Sequence, residues 1–294
     1  QEDVRRDGED VILPPGLRIG ANCRVAGEDF AVGAPVVRAG ERLGAHHIAA
    51  LVATGIHRVT VRRPLRVAVF STGDELVDAA ETLPAGVRFD SNRPMLLALL
   101  AQRGIEAVDL GILPDRREAI SAALREAART SDAILTSGGV STGEEDHVKA
   151  AVEAEGALDF WRLAIKPGKP VAMGHVGGKT FLGLPGNPGA VFITFARFVG
   201  PVLDLLAGGF PNRPPGMPVH AGFAYRRKPG RLEYARVVLQ VENGRMIARR
   251  LEKDGAAMLS SLVVAEGLVE IEEDRAAIEE GEVVRFLSFA ELMI

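Results

Sequence analysis

Four short segments carry the residue types best suited to chemistry, and each follows an apolar run of strand length. They combine glycine with hydroxyl, acidic or proline residues at positions 71–75, 111–115, 137–146 and 185–189. In a sheet of parallel strands, the loops after the carboxyl ends of the strands lie at one edge, and ligands bind there. We therefore expect the four segments to form one crevice.

The segment 137–146 has the composition of an anion-binding loop. It holds three glycines and three hydroxyl residues within 137–143, and acidic residues follow where a helix is expected to begin. Glycine lets the backbone direct N–H groups at an anion, and a helix start adds partial positive charge. An ordinary strand-to-helix turn has the same glycine content, but a second hydroxyl–glycine segment at the neighbouring strand end favours phosphate or pterin binding. The residues concerned are Ser71, Thr72, Gly73, Ser137, Gly138, Gly139, Ser141 and Gly143.

Three cations, Arg162, Lys166 and Lys169, are expected beside this crevice. The two lysines are separated by a Pro-Gly pair, and prolines at 167 and 170 restrict the local backbone. A solvated surface pair is the alternative, but surface solvation does not explain the prolines. The pattern favours a site built for an anion.

One carboxylate falls on each of three segments: Glu75, Asp115 and Asp146. Carboxylates beside a phosphate suit Mg²⁺, which keeps several waters and takes one or two protein oxygens. Each residue taken alone could instead cap a helix N-terminus. Because all three are expected in one crevice, we interpret them as metal and catalytic residues.

Composition excludes several other classes of function. The chain of 294 residues has 35 basic and 39 acidic residues, a net charge of −4, so no global charge attracts nucleic acid. Aromatic residues make up only 5%, which argues against base-stacking platforms. A single cysteine, Cys23, can form neither an internal disulfide nor a cysteine-based zinc site. The stretch without charged residues at 180–196 is interrupted by proline and glycine, so we expect no membrane span and a cytoplasmic protein.

Three regions differ in pattern, and we predict three domains. Residues 1–63 show short apolar runs at 11–13 and 36–37 and one helix near 44–54, a partial β-containing region too small to bury a good core alone. Residues 64–211 alternate strands and helices, which predicts a three-layer α/β domain with a mostly parallel sheet. Residues 212–294 show short strands and no convincing helix, which predicts a C-terminal β-barrel or sandwich. Its predicted strands are 237–241, 245–250, 262–264, 268–271 and 283–286.

These segments, in this order, resemble the molybdopterin molybdenumtransferase family, that is, MoeA and the C-terminal domain of gephyrin. The resemblance covers nearly the whole chain and is densest through 64–200. The matching stretches are residues 6–10, 70–76, 90–93, 137–143, 166–170 and 184–188.

The resemblance implies a molybdopterin-binding α/β domain, a C-terminal β domain and a homodimer. It implies insertion of molybdate into adenylylated molybdopterin, with Mg²⁺ and release of AMP, to give molybdenum cofactor. An adenylyltransferase that supplies the adenylylated substrate is an implied partner. The family pattern places functional roles on Glu75, Asp115, Asp146, Lys166, Pro185, Pro188 and Arg236.

The chain departs from the family pattern in three places. Arg162 stands where lysine is common, which changes how an oxyanion would be held. Ala256 stands where serine is frequent, which removes a hydroxyl contact. Family members also carry a longer N-terminal region, so we expect that this chain lacks part of it.

Two other functions stay open at this point. The first is the molybdopterin adenylyltransferase reaction, whose domain resembles residues 64–210 but usually occurs without flanking β regions. The second is a non-catalytic scaffold of the gephyrin type, with a partner peptide lying against the C-terminal β domain.

Overall fold

The structure is a computed structural model that describes residues 2–78, 82–83, 85–140, 147–252 and 255–293. The chain divides into two compact units, Gln1–Val61 and Arg62–Ile294.

The first unit contains little regular structure. Strands β1 (Arg5–Asp7) and β2 (Asp10–Ile12) form an antiparallel hairpin, and α1 (Ala45–Ala53) is the predicted helix. The strand predicted at 36–37 is absent from the described residues, which form bends there. Leu51 is the one buried apolar side chain among the described residues 2–61, so the unit has almost no core.

The second unit begins with a six-stranded sheet in the order β6-β3-β7-β11-β10-β8. The strands from β6 to β11 in this order are parallel, and β10 runs antiparallel to both of its neighbours. The strands of this part of the chain are β3 (Arg66–Thr72), β4 (Leu76–Val77), β5 (Arg88–Phe89), β6 (Glu106–Leu113), β7 (Ala133–Ser137), β8 (Gly156–Arg162), β9 (Ile165–Lys166), β10 (Pro170–Val176) and β11 (Lys179–Leu184).

Helices cover both faces of this sheet, because alternate strand residues point to opposite faces and both sets are apolar. Val67 and Val69 pack on one face with α2 and α5, while Ala68 and Phe70 pack on the other with α3 and α4. The three-layer α/β prediction is confirmed. The helices are α2 (Asn92–Gln102), α3 (Arg117–Thr130), α4 (His147–Glu155), α5 (Pro188–Thr194), a π-helical turn (Phe195–Val199) and α6 (Gly200–Leu206).

The last part of the chain forms a closed β-barrel, one of the two forms predicted for it. Five strands follow one another in the order β15-β12-β18-β16-β14, and β14 also pairs with β15, which closes the ring. The elements are β12 (Met217–Ala221), β13 (Tyr225–Arg226), β14 (Leu232–Glu242), β15 (Arg245–Arg250), α7 (Leu259–Val264), β16 (Gly267–Ile271), β17 (Ala277–Ile278), β18 (Val283–Ser288) and α8 (Phe289–Met293).

The prediction of no helix after residue 211 is wrong, since α7 and α8 are helical. The apolar run 262–264 was predicted as a strand because branched side chains favour extended backbone. In α7 the helical turn instead places Ser261 inside, where its hydroxyl accepts a hydrogen bond from Arg236, and leaves Val263 and Val264 exposed. A contact with a distant residue therefore decides the local conformation.

One helical segment, Pro188–Leu206, is long and apolar enough to cross a membrane by length and composition. The pattern of residues 190–206 predicts a largely buried helix here, and the segment contains two charged residues, Arg197 and Asp204. Its residues Phe195 and Val199 are fully buried against the sheet, and Arg197 forms an ion pair with Glu270. The segment packs as a core helix inside the protein.

A strand pair and an apolar cluster are among the contacts that join the barrel to the α/β layers. The short strand β9 leaves the α/β region and pairs in parallel with β14, with Lys166 opposite Glu233. An apolar cluster also brings Ile193 and Ala196 against Leu268 and Leu287. Residues 62–294 accordingly group as one unit, and the domain boundary at 211–212 stays a prediction.

Candidate functional site

The first two loops meet because their strands are neighbours. Thr72 ends β3, and its hydroxyl donates to Oδ1 of Asp115 over 3.3 Å, just beyond the end of β6. The backbone N–H of Asp115 donates to Oδ1 of Asp74 over 3.4 Å. The segments 71–75 and 111–115 therefore form one polar rim.

The glycines after β7 pack directly against this rim. Gly138 and Gly139 have φ angles of +93° and +64°, in a region of backbone conformation that residues other than glycine rarely adopt. A Cβ atom on Gly138 would lie 2.8 Å from the carbonyl oxygen of Thr72, and one on Gly139 would lie 2.4 Å from Cγ2 of Val148. Gly138 is therefore required by the approach of the Thr72 backbone, and Gly139 by the approach of the Val148 side chain.

Ser137 connects the third loop to the fourth. Its hydroxyl accepts a hydrogen bond from Nδ2 of Asn92 over 2.8 Å and donates to the carbonyl oxygen of Pro185 over 3.1 Å. Nδ2 of Asn92 also donates to the carbonyl oxygen of Gly186 over 2.9 Å. All four predicted loops are thus joined at the carboxyl edge of the parallel strands.

Asn92 is a residue to which the sequence analysis assigned no role, although it lies in a motif shared with the family. Oδ1 of Asp90 accepts the backbone N–H groups of Asn92 and Arg93 over 3.1 Å each, which begins α2. The guanidinium of Arg93 in turn pairs with Asp109 over 2.5 Å. The motif 90–93 therefore orients the loops rather than presenting a free reactive group.

A cavity of about 340 Å³ lies between the loop 165–170 of the α/β region and the barrel. It holds three of the predicted site residues, Lys166, Lys169 and Pro185, and it is lined by four cations in all. Arg231 and Arg250 are the other two cations, and both come from the barrel. The further lining residues are Ile165, Pro167, Gly168, Pro170, Asn187, Ala190, Tyr225, Glu233, Tyr234, Ala235, Gly255, Ala256 and Ile271.

Lys166 is held by a group of barrel side chains. Its Nζ lies 3.3 Å and 3.4 Å from the two carboxylate oxygens of Glu233 and 3.4 Å from the hydroxyl of Tyr225. Burial by itself would raise the pKa of Glu233, but hydrogen bonds from Tyr225, Lys166 and Arg227 outweigh burial and lower it. Glu233 is therefore ionised at neutral pH beside a lysine that is about half exposed.

Arg236 is buried behind the cavity. Its guanidinium donates over 2.7 Å to the carbonyl oxygen of Met258 and over 2.5 Å to the hydroxyl of Ser261. Gly189 packs against it so closely that a Cβ atom would lie 2.0 Å from the guanidinium, and the N–H of Gly189 donates to the carbonyl oxygen of Ala256 over 2.8 Å. The observed contacts of Arg236 fasten the segment 255–261 to the start of α5.

The other predicted residues occupy several kinds of position. Pro188 is in the first turn of α5, where a missing N–H has no cost. Ser71 is fully buried, and its hydroxyl has no hydrogen-bond partner among the described residues. Arg162 is exposed on the outer strand β8, opposite Pro170.

Glu75 and Asp115 are the two predicted carboxylates that the structure describes, and each has a partner other than a metal. Glu75 pairs with Arg88 over 2.8 Å, and its carboxylate lies over Gly73, whose Cβ position would be 2.5 Å from Oε2. No group of three or more His, Cys, Asp or Glu side chains suited to a metal occurs in the part of the chain that the structure describes. Three predicted residues lie outside that part: Ser141, Gly143 and Asp146.

The sequence analysis missed the barrel side of the cavity. Tyr225, Arg231, Glu233 and Arg250 lie far from the glycine motifs along the chain, and their spacing in the sequence carries no recognisable signal. The fold brings them to Lys166 because β9 pairs with β14.

The fold and these loops define a molybdopterin-binding type of α/β domain followed by a characteristic barrel. Residues 68–205 match the family described as a probable molybdopterin binding domain. Residues 218–289 match the MoeA C-terminal region, domain IV.

Named relatives cover most of the chain. The molybdopterin molybdenumtransferase of Haemophilus influenzae is 35% identical over 92% of this chain and 68% of that protein. The one from Nostoc is 36% identical over 71% of this chain but only 49% of that protein. A solved structure of the molybdopterin biosynthesis MoeA protein from Pyrococcus horikosii superimposes with a TM-score of 0.74 at 30% identity, over 98% of this chain and 70% of that one. The chain belongs to the molybdopterin molybdenumtransferase family, which confirms the resemblance seen in its motifs.

Proposed function

We propose that this protein inserts molybdate into adenylylated molybdopterin, releasing AMP and forming molybdenum cofactor. The observation that carries the proposal is the cavity beside the joined glycine loops, because four cations line it and Lys166 is among them. A nucleotide-capped pterin needs donors for a pyrophosphate, and molybdate is an oxyanion that needs cations nearby. The glycine loops and the cations that support the proposal lie at one edge of the sheet.

The glycine segments would bind the pterin and phosphate end of the substrate. Gly138 and Gly139 bring the backbone of the third loop against Thr72, and Ser137 fixes this loop to Pro185. Their N–H groups and the neighbouring hydroxyls suit a phosphate without requiring side-chain charge. Ser141 and Gly143 complete the proposed segment.

The cavity would hold molybdate. Lys166 and Lys169 line it from the α/β side. Arg162 does not line the cavity, and we include it as a further proposed cation because it lies opposite Pro170, which does. We place Pro185, Pro188 and Arg236 in the supporting shell, since Pro185 lines the cavity and Arg236 holds the segment behind it.

The proposal of Mg²⁺ rests only on the presence of carboxylate oxygens that could bind it. Asp115 and Glu75 offer hard carboxylate oxygens of the kind that Mg²⁺ prefers, and Asp146 would be the third. The contacts of Asp115 with Thr72 and of Glu75 with Arg88 compete with a metal. We therefore assign the carboxylates to substrate orientation and route no chemical step through the ion.

Replacement of Lys166 by alanine tests the oxyanion site. We expect Lys166→Ala to raise the molybdate concentration for half-maximal AMP release about tenfold or more, since a hydrogen bond to a charged group is lost. Lys179→Ala is the matched control, because Lys179 begins β11 at the opposite edge of the same sheet. The assay measures AMP release and cofactor formation from purified adenylylated molybdopterin over a range of molybdate concentrations.

Two results would contradict the proposal. The first is a wild-type protein that releases no AMP from adenylylated molybdopterin in the presence of molybdate. The second is an unchanged molybdate dependence in Lys166→Ala. Consumption of ATP with free molybdopterin would instead identify an adenylyltransferase.

We also propose a cytoplasmic homodimer that receives its substrate from an adenylyltransferase. These points rest on family membership. Light scattering of the purified protein measures the oligomeric state directly.

A further inference from the structure

One feature of the cavity conflicts with simple anion binding. Glu233 is buried at its wall, and it is the one acidic residue among the described residues that line it. A carboxylate repels an oxyanion unless its charge is compensated. The effect of Glu233 on an anion in the cavity therefore depends on how its neighbours compensate its charge.

The charge of Glu233 is compensated by partners in addition to Lys166. Arg227, whose side chain is almost completely buried, lies 3.3 Å from Oε1, and the hydroxyl of Tyr225 donates to Oε2 over 2.8 Å. Glu233, Arg227 and Lys166 together carry a net charge of +1, since one carboxylate faces two cations. Glu233 can remain ionised without cancelling the positive charge of the cavity.

The remaining interactions of Glu233 act on Lys166. The two residues are register partners in the β9–β14 pair, so the backbone sets their separation. The ammonium of a lysine has three N–H donors, and its contacts here are with the Glu233 carboxylate and the Tyr225 hydroxyl. The Lys166 side chain lines the cavity and is about half exposed, so these contacts do not enclose it completely.

Tyr225 also contacts Arg250, another cation that lines the cavity. The guanidinium of Arg250 lies 4.3 Å from the centre of the Tyr225 ring, a cation–π contact. Tyr225 therefore contacts a cation with its ring and the Glu233–Lys166 pair with its hydroxyl.

We propose that Glu233 is a positioning residue for the oxyanion step, acting with Tyr225 to hold the Lys166 ammonium at one point of the cavity wall. The inference rests on the proposed function and adds the barrel as the part of the protein that orients the anion-binding lysine. A lysine without these partners samples many rotamers and must be ordered when the anion binds.

The test compares Glu233→Gln and Tyr225→Phe with wild type. We expect each variant to raise the half-saturating concentration of molybdate about threefold or more. The half-saturating concentration of adenylylated molybdopterin should stay within about twofold of the wild-type value. Tyr225→Phe keeps the Glu233–Arg227 pair and the ring under Arg250, so it remains informative where Glu233→Gln destabilises the fold. Glu279→Gln, an exposed glutamate of the same barrel, is the control.

A double-mutant cycle separates positioning from a merely structural role. In the Lys166→Ala background, we expect Glu233→Gln and Tyr225→Phe to cause no further change in molybdate binding, measured by titration calorimetry. Additive effects, or wild-type molybdate binding in both single variants, would overturn the inference while leaving the proposed function intact. Failure of the wild-type protein to bind molybdate would overturn both.

Discussion

At the scale of single residues, the glycines after β7 and Lys166 contribute for different physical reasons. Gly138 and Gly139 are needed because backbone conformation and close packing leave no room for a Cβ atom. Lys166 enters the proposed function through its charge and through its ion pair with Glu233. The sequence identified both kinds, since glycine runs and lysines beside proline are visible without a structure, but it did not show Glu233 or Tyr225.

The requirement for glycine at 138 is testable by stability. Gly138→Ala should lower the free energy of unfolding by about 2 kcal/mol or more, because the φ angle is unfavourable and the new Cβ atom approaches the carbonyl oxygen of Thr72. Gly244→Ala is the control, since Gly244 has a φ of +75° with nothing within 4 Å, and it should cost about 1 kcal/mol. Urea unfolding of the two variants measures the difference. Equal losses would show that the approach to Thr72 is relieved without cost.

At the scale of elements, the carboxyl ends of the strands position the candidate site. Contacts at the starts of the strands stabilise the sheet. The carboxyl ends of β3, β6, β7 and β11 present the four loops at one edge. At the opposite edge, Asp132 joins the starts of β3 and β7, because its carboxylate accepts the N–H of Arg66 over 2.9 Å and pairs with both terminal nitrogens of Arg63.

This second edge gives the protein a predictable pH dependence. Hydrogen bonds from Arg63, and then from the backbone of Arg66, outweigh burial and lower the pKa of Asp132 from 3.8 to about 2. A carboxylate with a lowered pKa stabilises the folded state above pH 4, and this contribution is lost as the pH falls from about 4 through about 2. Asp132→Asn should therefore be less stable than wild type at pH 7, with a difference that shrinks toward pH 2.

Chemical unfolding of both proteins at pH 7, 4 and 3 measures this difference. The exposed Asp274 supplies the control, and Asp274→Asn should follow the wild-type curve at every pH. A difference between Asp132→Asn and wild type that does not vary with pH would rule out the ionised bridge as its source.

At the scale of the whole molecule, the barrel and the α/β layers of residues 62–294 form one unit. The parallel pair of β9 and β14 and the apolar cluster around Leu268 connect them. The cavity lies where they join, so its shape depends on both.

A substitution inside the connecting cluster tests this unity. Leu268 is fully buried, and Leu268→Ala should destabilise the fold by about 2–5 kcal/mol through lost burial and a cavity. Hydrogen exchange followed by mass spectrometry should show reduced protection in peptides from both β7 and β14. The control is Leu205→Ala, at an exposed position of α6, which should change neither the stability of the fold nor the protection of β7 and β14. Loss of protection confined to the barrel would show that the two parts unfold separately.

The sequence by itself determined the α/β pattern, a C-terminal region built mainly of strands, the four loops and the family, because apolar periodicity and glycine-rich motifs are local properties of the chain. The sequence pattern also indicates Lys166, Thr72 and Asp115 as candidate site residues. Only the tertiary structure decided that residues 262–264 form a helix, that Arg236 lies buried behind the cavity, and that Glu233 and Tyr225 hold Lys166. These outcomes depend on contacts between residues far apart in the chain, and local preferences carry no record of such contacts.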